Sequence, residues 1–487
     1  MKVIYLWMLA ISLFLSTNVL HAEIVLPKII GNNMVLQCNK TVPIWGTASP
    51  SEKITVIFNN QHKQTIADKT GHWMVKLSPM KASFNPSKMI IKGNNDFVQL
   101  NNILIGEVWI CSGQSNMEYS MRRSCKIQDK AKGKHPTEND ILTANNSYIR
   151  IFLVRRKYMA PDPNHQGWDS AMGRSLRPFS AVGYFFAKNL YEKLHVPIGM
   201  ISSAVPGSRI EPWIEASKLN ISPKLKNGEK LDPLSEDKGN PGEFYTTMIQ
   251  PLIPFSIRGF LWYQGESNCF LNESIRYAYK VQTLITSWRH DWKDSKLPFY
   301  FVQIAPYIYS AGDDGRGRTV ETLPKLWEAQ ALDLKVPHTG MVTITDLVDH
   351  ITNLHPNYKW EVGRRLCLVA LNKTYGFKNI TCSGPTFKSL KIINNTIDLS
   401  FNNVDGGLMS RDGKSLTWFS IAGANKKFVP AFATIKGNQV IVSSPQVKYP
   451  YFVRFGWNEA AQSNFINKAG LPAVPFRSDN PWIKLFK

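Results

Sequence analysis

The pattern of apolar and polar positions divides the chain into three parts. From residue 23 to about residue 100, short apolar segments alternate with polar residues and turns, which is typical of an all-β module. From residue 101 to about 375, apolar strands alternate with helical stretches, and from about 376 to 487 the short strands return. The pattern predicts an N-terminal β module, a central α/β domain and a C-terminal β module, unless the two β parts are halves of one module.

The central part predicts a parallel sheet. Six apolar segments are predicted as strands, at residues 107–111, 149–153, 198–202, 259–263, 299–303 and 340–345. Four stretches with helical periodicity lie among them, at residues 181–194, 275–288, 323–334 and 358–372. Strands that alternate with helices indicate βαβ units and a sheet covered on both faces. Ligands of such sheets bind beyond the carboxyl ends of the strands, so the strand-end loops are the first place to look for chemistry.

The first 22 residues predict export of the chain. Lys2 is followed by an apolar run too short to span a bilayer, and then by a small residue, Ala22, at a plausible cleavage position. We therefore interpret residues 1–22 as a signal peptide and expect a secreted or periplasmic mature chain. No later segment has the length and hydropathy of a membrane span.

Charge and cysteine usage narrow the function classes. The 58 Lys and Arg residues outnumber the 36 Asp and Glu residues, which gives a formal charge of +22. The basic residues are scattered and do not form a stripe interleaved with aromatic residues, so a nucleic-acid-binding role is disfavoured. The six cysteines lack the spacing of a zinc site. Export would permit disulfides, but the sequence does not assign the pairs. We expect most of the cysteines to be buried thiols.

Four strand-end loops carry polar residues suited to ester chemistry. Ser115 follows the first central strand, and a serine hydroxyl becomes a useful nucleophile when a base lies beside it. Gly207, in the loop after residue 202, can present an unobstructed N–H to an oxyanion. Gln264 and Glu266 follow another strand, and His355 precedes a predicted helix from which an imidazole could reach Ser115. Taken alone, each residue is more simply read as a cap, a turn or part of a polar network.

Together these loops resemble the sialate O-acetylesterase family, within the SGNH-hydrolase-like carbohydrate acetylesterases. The matching stretches are GEVWICSGQSNME, PIGMISSAVPGSRIEPWI, IRGFLWYQGESN and HPNYKWEVGRRL, with NNMVLQCNKTVPIWG and DKTGHWMV before them and VRFGWNEAAQSNFINKAGLPAVPFRSD after them. The resemblance covers nearly the whole chain that follows the signal peptide. It implies a flavodoxin-like three-layer α/β/α SGNH-type hydrolase core with flanking β-sandwich, jelly-roll-like parts.

The same resemblance implies roles for individual residues. Ser115 would be the nucleophile and His355 the general base and acid. The backbone N–H groups of Ser115 and Gly207 and the side chain of Gln264 would form the oxyanion hole. Asn116 would contact the substrate. No metal and no organic cofactor is implied.

Two departures from the family pattern leave parts of the site open. In many related hydrolases an acid stands three residues before the base, but Thr352 occupies that position here. Asn353 stands where the family often carries Asp. Glu266 is the first candidate for the acid that orients His355, and the alternatives are Asp346, Asp349 or a backbone carbonyl.

The second departure is PGSRIE, where relatives usually have two glycines and a threonine. It leaves Arg209 either as a substrate-binding residue that meets a sugar carboxylate or as the partner of Glu211 or Glu215.

The leading hypothesis is therefore a secreted carbohydrate O-acetylesterase that removes acetyl groups from O-acetylated sialic acid or related sugars. An acetylxylan- or xyloglucan-type plant glycan is the alternative substrate. The alternative of another class is a non-catalytic glycan-binding protein. Ser115 and His355, both present, argue against that alternative.

Overall fold

The computed structural model describes residues 23–124, 140–154, 167–221, 239–312 and 314–482. The predicted signal peptide over residues 1–22 and Cys125 lie outside the described residues. The mixed α/β class is confirmed: a large central mixed sheet is accompanied by further β-sheets. Within the described ranges, no helix combines the length and hydropathy that a bilayer crossing requires.

The N-terminal part consists of short, mostly antiparallel strands. Strand β3 (Lys53–Phe58) pairs with β4 (Gln61–Ile66) and β6 (Ser83–Lys92), and β2 (Val42–Thr47) pairs with β5 (His72–Leu77). Buried and exposed side chains alternate along β5, as the sequence pattern predicts for a half-buried strand. These strands are β1 (Val35–Gln37), β2 (Val42–Thr47), β3 (Lys53–Phe58), β4 (Gln61–Ile66), β5 (His72–Leu77) and β6 (Ser83–Lys92).

A long strand connects this part to the central sheet. Strand β7 (Phe97–Gly113) pairs with β6 and β1 along its first half and with central strands along its second half. It runs across residue 100, where the sequence pattern places a domain boundary. One hydrophobic core contains side chains from both sides of that position, and the division into domains stays a prediction.

All six strands predicted for the central sheet are confirmed, and they are parallel. They are β7, β8 (Ile149–Leu153), β10 (Ile198–Ala204), β11 (Gly259–Tyr263), β12 (Phe299–Val302) and β13 (Thr339–Val342). Their order across the sheet is β13-β12-β11-β7-β10-β8, followed by an antiparallel edge strand, β9 (Trp168–Ser170). The carboxyl ends of β7, β10 and β11 are therefore adjacent, and they carry three of the four candidate loops.

The four predicted helices are also present. Helix α5 (Ala181–Leu194) packs against α10 (Lys359–Lys373), and α8 (Ile275–Asp291) packs against α9 (Thr322–Leu332). Six further helices are a turn or two in length. In chain order the helices are α1 (Ser115–Glu118), α2 (Met121–Ser124), α3 (Asp140–Thr143), α4 (Gly173–Leu176), α5 (Ala181–Leu194), α6 (Ala216–Ile221), α7 (Glu266–Phe270), α8 (Ile275–Asp291), α9 (Thr322–Leu332) and α10 (Lys359–Lys373).

The C-terminal part forms small antiparallel sheets around its own hydrophobic cluster, in which the rings of Phe387 and Phe476 stack 4.5 Å apart. Its strands are β14 (Thr386–Ile393), β15 (Thr396–Asn402), β16 (Leu408–Ser410), β17 (Phe419–Ala422), β18 (Val429–Pro430), β19 (Phe432–Lys436), β20 (Gln439–Ser443), β21 (Phe452–Phe455), β22 (Phe465–Asn467) and β23 (Phe476–Arg477). The five described cysteines are free thiols, and all but Cys382 are fully buried, as expected.

Candidate active site

Ser115 stands at a sharp turn between strand β7 and helix α1. The turn begins at Gly113, whose φ is 137°, a conformation that favours glycine. A Cβ atom at this position would lie 2.1 Å from the carbonyl oxygen of Tyr263 on the neighbouring strand. Gln114 is extended, and Ser115 is the first residue of the helix. Strand, glycine and helix together hold the hydroxyl at the carboxyl edge of the sheet.

His355 is brought directly to this hydroxyl. Its Nε2 lies 2.8 Å from Oγ of Ser115, although the two residues are 240 positions apart. Its backbone N–H donates to Oδ1 of Asn353 at 3.0 Å, which fixes the loop between β13 and α10. The pKa of His355 is lowered to about 4, first by burial and then by the positive charges of Lys359 and Arg123. The imidazole is therefore neutral at physiological pH, as a general base must be.

None of the three candidate acids bonds to His355. The Glu266 carboxylate accepts from Asn116 at 2.5 Å. Asp346 is held by a two-point ion pair with Arg365, at 2.8 and 2.7 Å. Asp349 accepts from the hydroxyl of Tyr358 at 2.5 Å. Over the described residues, Nδ1 of His355 has no hydrogen-bond acceptor, so the contacts define a serine–histidine pair.

Glu266 is almost completely buried, with 1% of its surface exposed. Its Oε1 bonds to Asn116, and its Oε2 has no hydrogen-bond partner among the described atoms. Burial raises the pKa of this carboxyl, against the opposing effects of hydrogen bonds and of the Lys359 charge. Glu266 is thus linked to the loop of His355 only through Asn116.

The loops after β10 and β11 surround the turn of Ser115. The Val205 N–H donates to the carbonyl of Gly113 at 3.1 Å, and the Ser267 hydroxyl donates to the carbonyl of Gly207 at 3.0 Å. In the described part of the chain, the N–H groups of Ser115 and Gly207 have no hydrogen-bond acceptor. Both are free to serve as donors to an oxyanion.

Gln264 is placed differently from the expectation of a free donor. Its side chain is fully buried, and its Nε2 donates to Oε1 of Gln114 at 3.1 Å, to Oδ1 of Asn268 at 2.7 Å and to the Ser208 carbonyl at 3.3 Å. The hydroxyl of Tyr277 donates to its Oε1 at 2.8 Å. These contacts occupy the whole amide, which here ties the loops of the site together.

The two residues assigned to substrate contact are both buried. Asn116 has no exposed surface, and its amide bonds to Glu266, to the Leu354 carbonyl and to Lys359. Arg209 is 3% exposed, and its Nε lies 4.0 Å from Oε2 of Glu211. The pairing of Arg209 with Glu211 is thus present, and a role of Arg209 in substrate binding stays a prediction. The same carboxylate also accepts from Lys280 at 2.7 Å.

Two residues beside the pair were missed by sequence reasoning. Lys359 is fully buried at the start of α10, and its Nζ donates to Oδ1 of Asn116 at 2.6 Å. The sequence does indicate that Lys359 is buried, because it stands three and seven positions before the apolar residues Val362 and Leu366. Residues with this spacing lie on the same face of a helix. Arg123 lies over the ring of Tyr119 at 4.4 Å and carries no comparable sequence signal.

The known proteins to which this chain is similar are carbohydrate esterases. The family model described as "Carbohydrate esterase, sialic acid-specific acetylesterase" matches residues 105–371. The chain is 27% identical to the sialate O-acetylesterase of Mus musculus, over 85% of each chain. It is 28% identical to that of Homo sapiens, over 75% of this chain and 73% of the relative.

A solved structure supports the same relationship over more of the chain. The crystal structure of a carbohydrate acetylesterase from Xanthomonas citri superposes with a TM-score of 0.82 at 33% identity. The match covers 94% of this chain and all of that one. The family model and the named relatives thus define a carboxylic ester hydrolase. The chain belongs to the sialic acid-specific acetylesterase family of carbohydrate esterases.

Proposed function

We propose that this protein is a serine carbohydrate O-acetylesterase with Ser115 as its nucleophile and His355 as its general base and acid. The observation that carries the proposal is the 2.8 Å contact between Oγ of Ser115 and Nε2 of His355. The lowered pKa of His355 supports the role of base, because it keeps Nε2 unprotonated at neutral pH.

The reaction follows from these positions in two steps. Nε2 of His355 accepts the hydroxyl proton while Oγ of Ser115 adds to the acetyl carbonyl carbon. The tetrahedral intermediate collapses, the C–O bond to the sugar breaks, and the imidazolium protonates the departing sugar oxygen. Water then adds to the acetyl-enzyme, again losing a proton to His355, and acetate leaves as Oγ recovers its proton.

We place the developing negative charge against the N–H groups of Ser115 and Gly207. Both groups lack an acceptor within the described structure, which suits donors that act only in the transition state. Gln264 can join them only if substrate displaces one of the acceptors that its amide now holds. Its first contribution in this proposal is to fix Gln114 and the loop of Asn268.

Further features of the sequence analysis are part of this proposal. They are export by a signal peptide over residues 1–22, the division at about residues 100 and 375, and an SGNH-type three-layer core with jelly-roll-like flanks. The parallel strand order around β7 supports the core assignment, since that order places the carboxyl ends of neighbouring strands side by side.

Acetate release from an acetylated sugar tests the mechanism. We expect Ser115→Ala and His355→Ala each to lower kcat by at least about a thousandfold, because each removes a member of a unit that acts together. Ser203→Ala is the matched control: this buried serine on strand β10 bonds the Met248 carbonyl and is not part of the pair. Turnover by Ser115→Ala at the wild-type rate would overturn the proposal. Glycan retention by a wild-type protein that releases no acetate would favour the glycan-binding alternative.

For the substrate we propose O-acetylated sialic acid, an acidic sugar. The relatives named sialate O-acetylesterases support this choice, and so does the cation at the rim of the site. Arg123 is exposed, and its guanidinium packs on the ring of Tyr119. The Tyr119 hydroxyl donates at 3.2 Å to Asn357, two residues after His355. Among the described residues, no carboxylate forms an ion pair with Arg123, which suits a guanidinium that receives a substrate carboxylate.

A substrate panel separates this choice from a neutral plant glycan. We expect Arg123→Met to lower kcat/KM for O-acetylated sialic acid by about tenfold or more, the effect of losing a charged hydrogen bond. Activity on acetylxylan and 4-nitrophenyl acetate should change little. Arg122→Met is the control, since this neighbouring arginine is also exposed. An equal loss on all three substrates, or a wild-type preference for acetylxylan, would reject the acidic sugar.

A further inference from the structure

Asn116, next to the proposed nucleophile, has an amide whose orientation is fixed by charge. Its Oδ1 accepts from the ammonium of Lys359 at 2.6 Å. Its Nδ2 donates to the carboxylate of Glu266 at 2.5 Å and to the carbonyl of Leu354 at 3.0 Å. An ammonium can only donate and the Leu354 carbonyl can only accept, so the amide has one satisfactory orientation.

The two charged groups on either side of this amide are both buried. Glu266 is 1% exposed and Lys359 is 0% exposed. The rings of Tyr119 and Tyr263 lie 4.9 and 5.2 Å from Nζ of Lys359. Burial of an ammonium and a carboxylate is costly unless they compensate one another. Here they are compensated through a single neutral side chain.

We propose that Glu266, Asn116 and Lys359 form a buried bridge that positions the serine against the histidine. This inference rests on the proposed roles of Ser115 and His355. Asn116 directly follows Ser115, and Leu354 directly precedes His355, so the bond from Asn116 to the Leu354 carbonyl joins the two catalytic segments. Glu266 and Lys359 act through Asn116 and are positioning residues. Asn116 is then a structural bridge and does not contact the substrate.

The bridge also places a positive charge near the general base. Among the described residues, the charged groups that act on His355 are Lys359 on α10 and Arg123 on α2, and both lower its pKa. The pKa of Lys359 is itself lowered to about 7, by burial first and by Arg123, against the charge of Glu266. At pH 6 the ammonium is therefore mostly protonated while His355 is neutral. Removal of the ammonium should raise the pKa of His355.

The test compares Lys359→Met, Glu266→Gln and the double variant at pH 6 with 4-nitrophenyl acetate. Methionine keeps the length of the lysine stem and removes its charge. We expect Lys359→Met to lower kcat by about tenfold or more with KM nearly unchanged, as expected for a misplaced catalytic pair. The acid limb of its kcat/KM profile should move to higher pH. The double variant should lose much less than the product of the two single losses, because the groups act through one amide.

Lys373→Met is the control. It removes another lysine from α10, one that donates to the Thr339 carbonyl at 2.9 Å, and it should leave both kcat and the acid limb unchanged. Melting temperatures of all variants show whether each has folded. If Lys359→Met does not fold, Glu266→Gln still tests the inference, because it too should lower kcat at unchanged KM.

Two outcomes would overturn the bridge. One is wild-type kcat in both single variants. The other combines three results: the melting temperature falls, the acid limb of the kcat/KM profile does not move, and the kcat losses of the two single variants multiply in the double variant. The contacts would then stabilise the fold without positioning the catalytic pair. Failure of the proposed function is distinguishable, since Ser115→Ala would then retain activity whatever the Lys359 variants do.

Discussion

His355 combines a short contact to Ser115 with an environment that disfavours its charged form. The imidazole is half-buried, and the charged groups that act on it from the described part of the chain, Lys359 and Arg123, are both cations. In the described chain no carboxylate stabilises an imidazolium through Nδ1. The resting site therefore favours a neutral histidine, and the energetic demand falls on the transition state, in which the imidazole must carry a proton.

This environment predicts activity well into the acidic range. His355 must be unprotonated to act as a base, and its pKa is lowered to about 4 from an ordinary value of 6.5. The acid limb of kcat/KM should therefore fall near pH 4, with activity nearly constant from about pH 5 to about pH 6, below the pKa of Lys359. Initial rates with 4-nitrophenyl acetate, which does not ionise in this range, measure the limb. An acid limb near pH 6.5 would show that burial and the two cations do not control the base.

At the residue scale, the sequence predicted the pair but not its surroundings. Ser115 and His355 could be chosen because strand-end loops converge in a parallel sheet. The direction of each side chain could not be read from the same pattern. Glu266 does stand beside the site, yet its carboxylate bonds to Asn116, and the amide of Gln264 is occupied by neighbours. Such contacts depend on side-chain packing between segments far apart in sequence.

At the scale of elements, prediction succeeded wherever an apolar pattern was long. The strands at residues 149–153 and 259–263 and the helix at 181–194 have the predicted bounds. The edge strand β9 was missed because it is only three residues long and pairs with a neighbouring strand along one edge only. The length of β7 was also missed, since its first half alternates like a surface strand and its second half is buried on both faces.

The turn that ends β7 gives a prediction about one element. Gly113→Ala adds a Cβ atom 2.1 Å from the Tyr263 carbonyl at a φ of 137°, so strand β11 or the turn must shift. A shift on the order of 1 Å at Ser115 should lower kcat by about a hundredfold. Acetate release and the melting temperature measure the effect. Gly173→Ala is the control, because this glycine also has a positive φ, of 51°, but has open space around it. Equal activities of the two variants would show that the turn does not set the position of Ser115.

At the scale of the whole molecule, the C-terminal part is joined to the α/β part by buried charges as well as by the chain. Arg477 forms a two-point ion pair with Glu328 of helix α9, at 2.9 and 2.7 Å. Val474 belongs to the main hydrophobic core, although most of its neighbours in sequence pack elsewhere. A sequence pattern that divides the chain into three parts does not reveal such contacts, because they depend on single residues in irregular segments.

Glu459 makes several buried connections of this kind. It is 2% exposed, and its carboxylate accepts from the N–H of Tyr309 at 2.8 Å, from the N–H of Ser310 at 3.0 Å and from the Ser310 hydroxyl. Replacement by alanine leaves these donors without an acceptor. We expect Glu459→Ala to lower the free energy of unfolding by about 3 kcal/mol, the scale of losing a buried charged acceptor.

Urea unfolding followed by tryptophan fluorescence measures this loss, and Glu459→Gln, which keeps one acceptor oxygen, should lose less. Glu321→Gln is the control: it also breaks a contact between the C-terminal and α/β parts, the ion pair with Arg454 at 2.8 Å. The Glu321 side chain is 36% exposed, so its replacement should cost no more than about 1 kcal/mol. If the alanine variant at residue 459 unfolds at the wild-type urea concentration, the two parts are held together by their apolar contacts and not by this buried carboxylate.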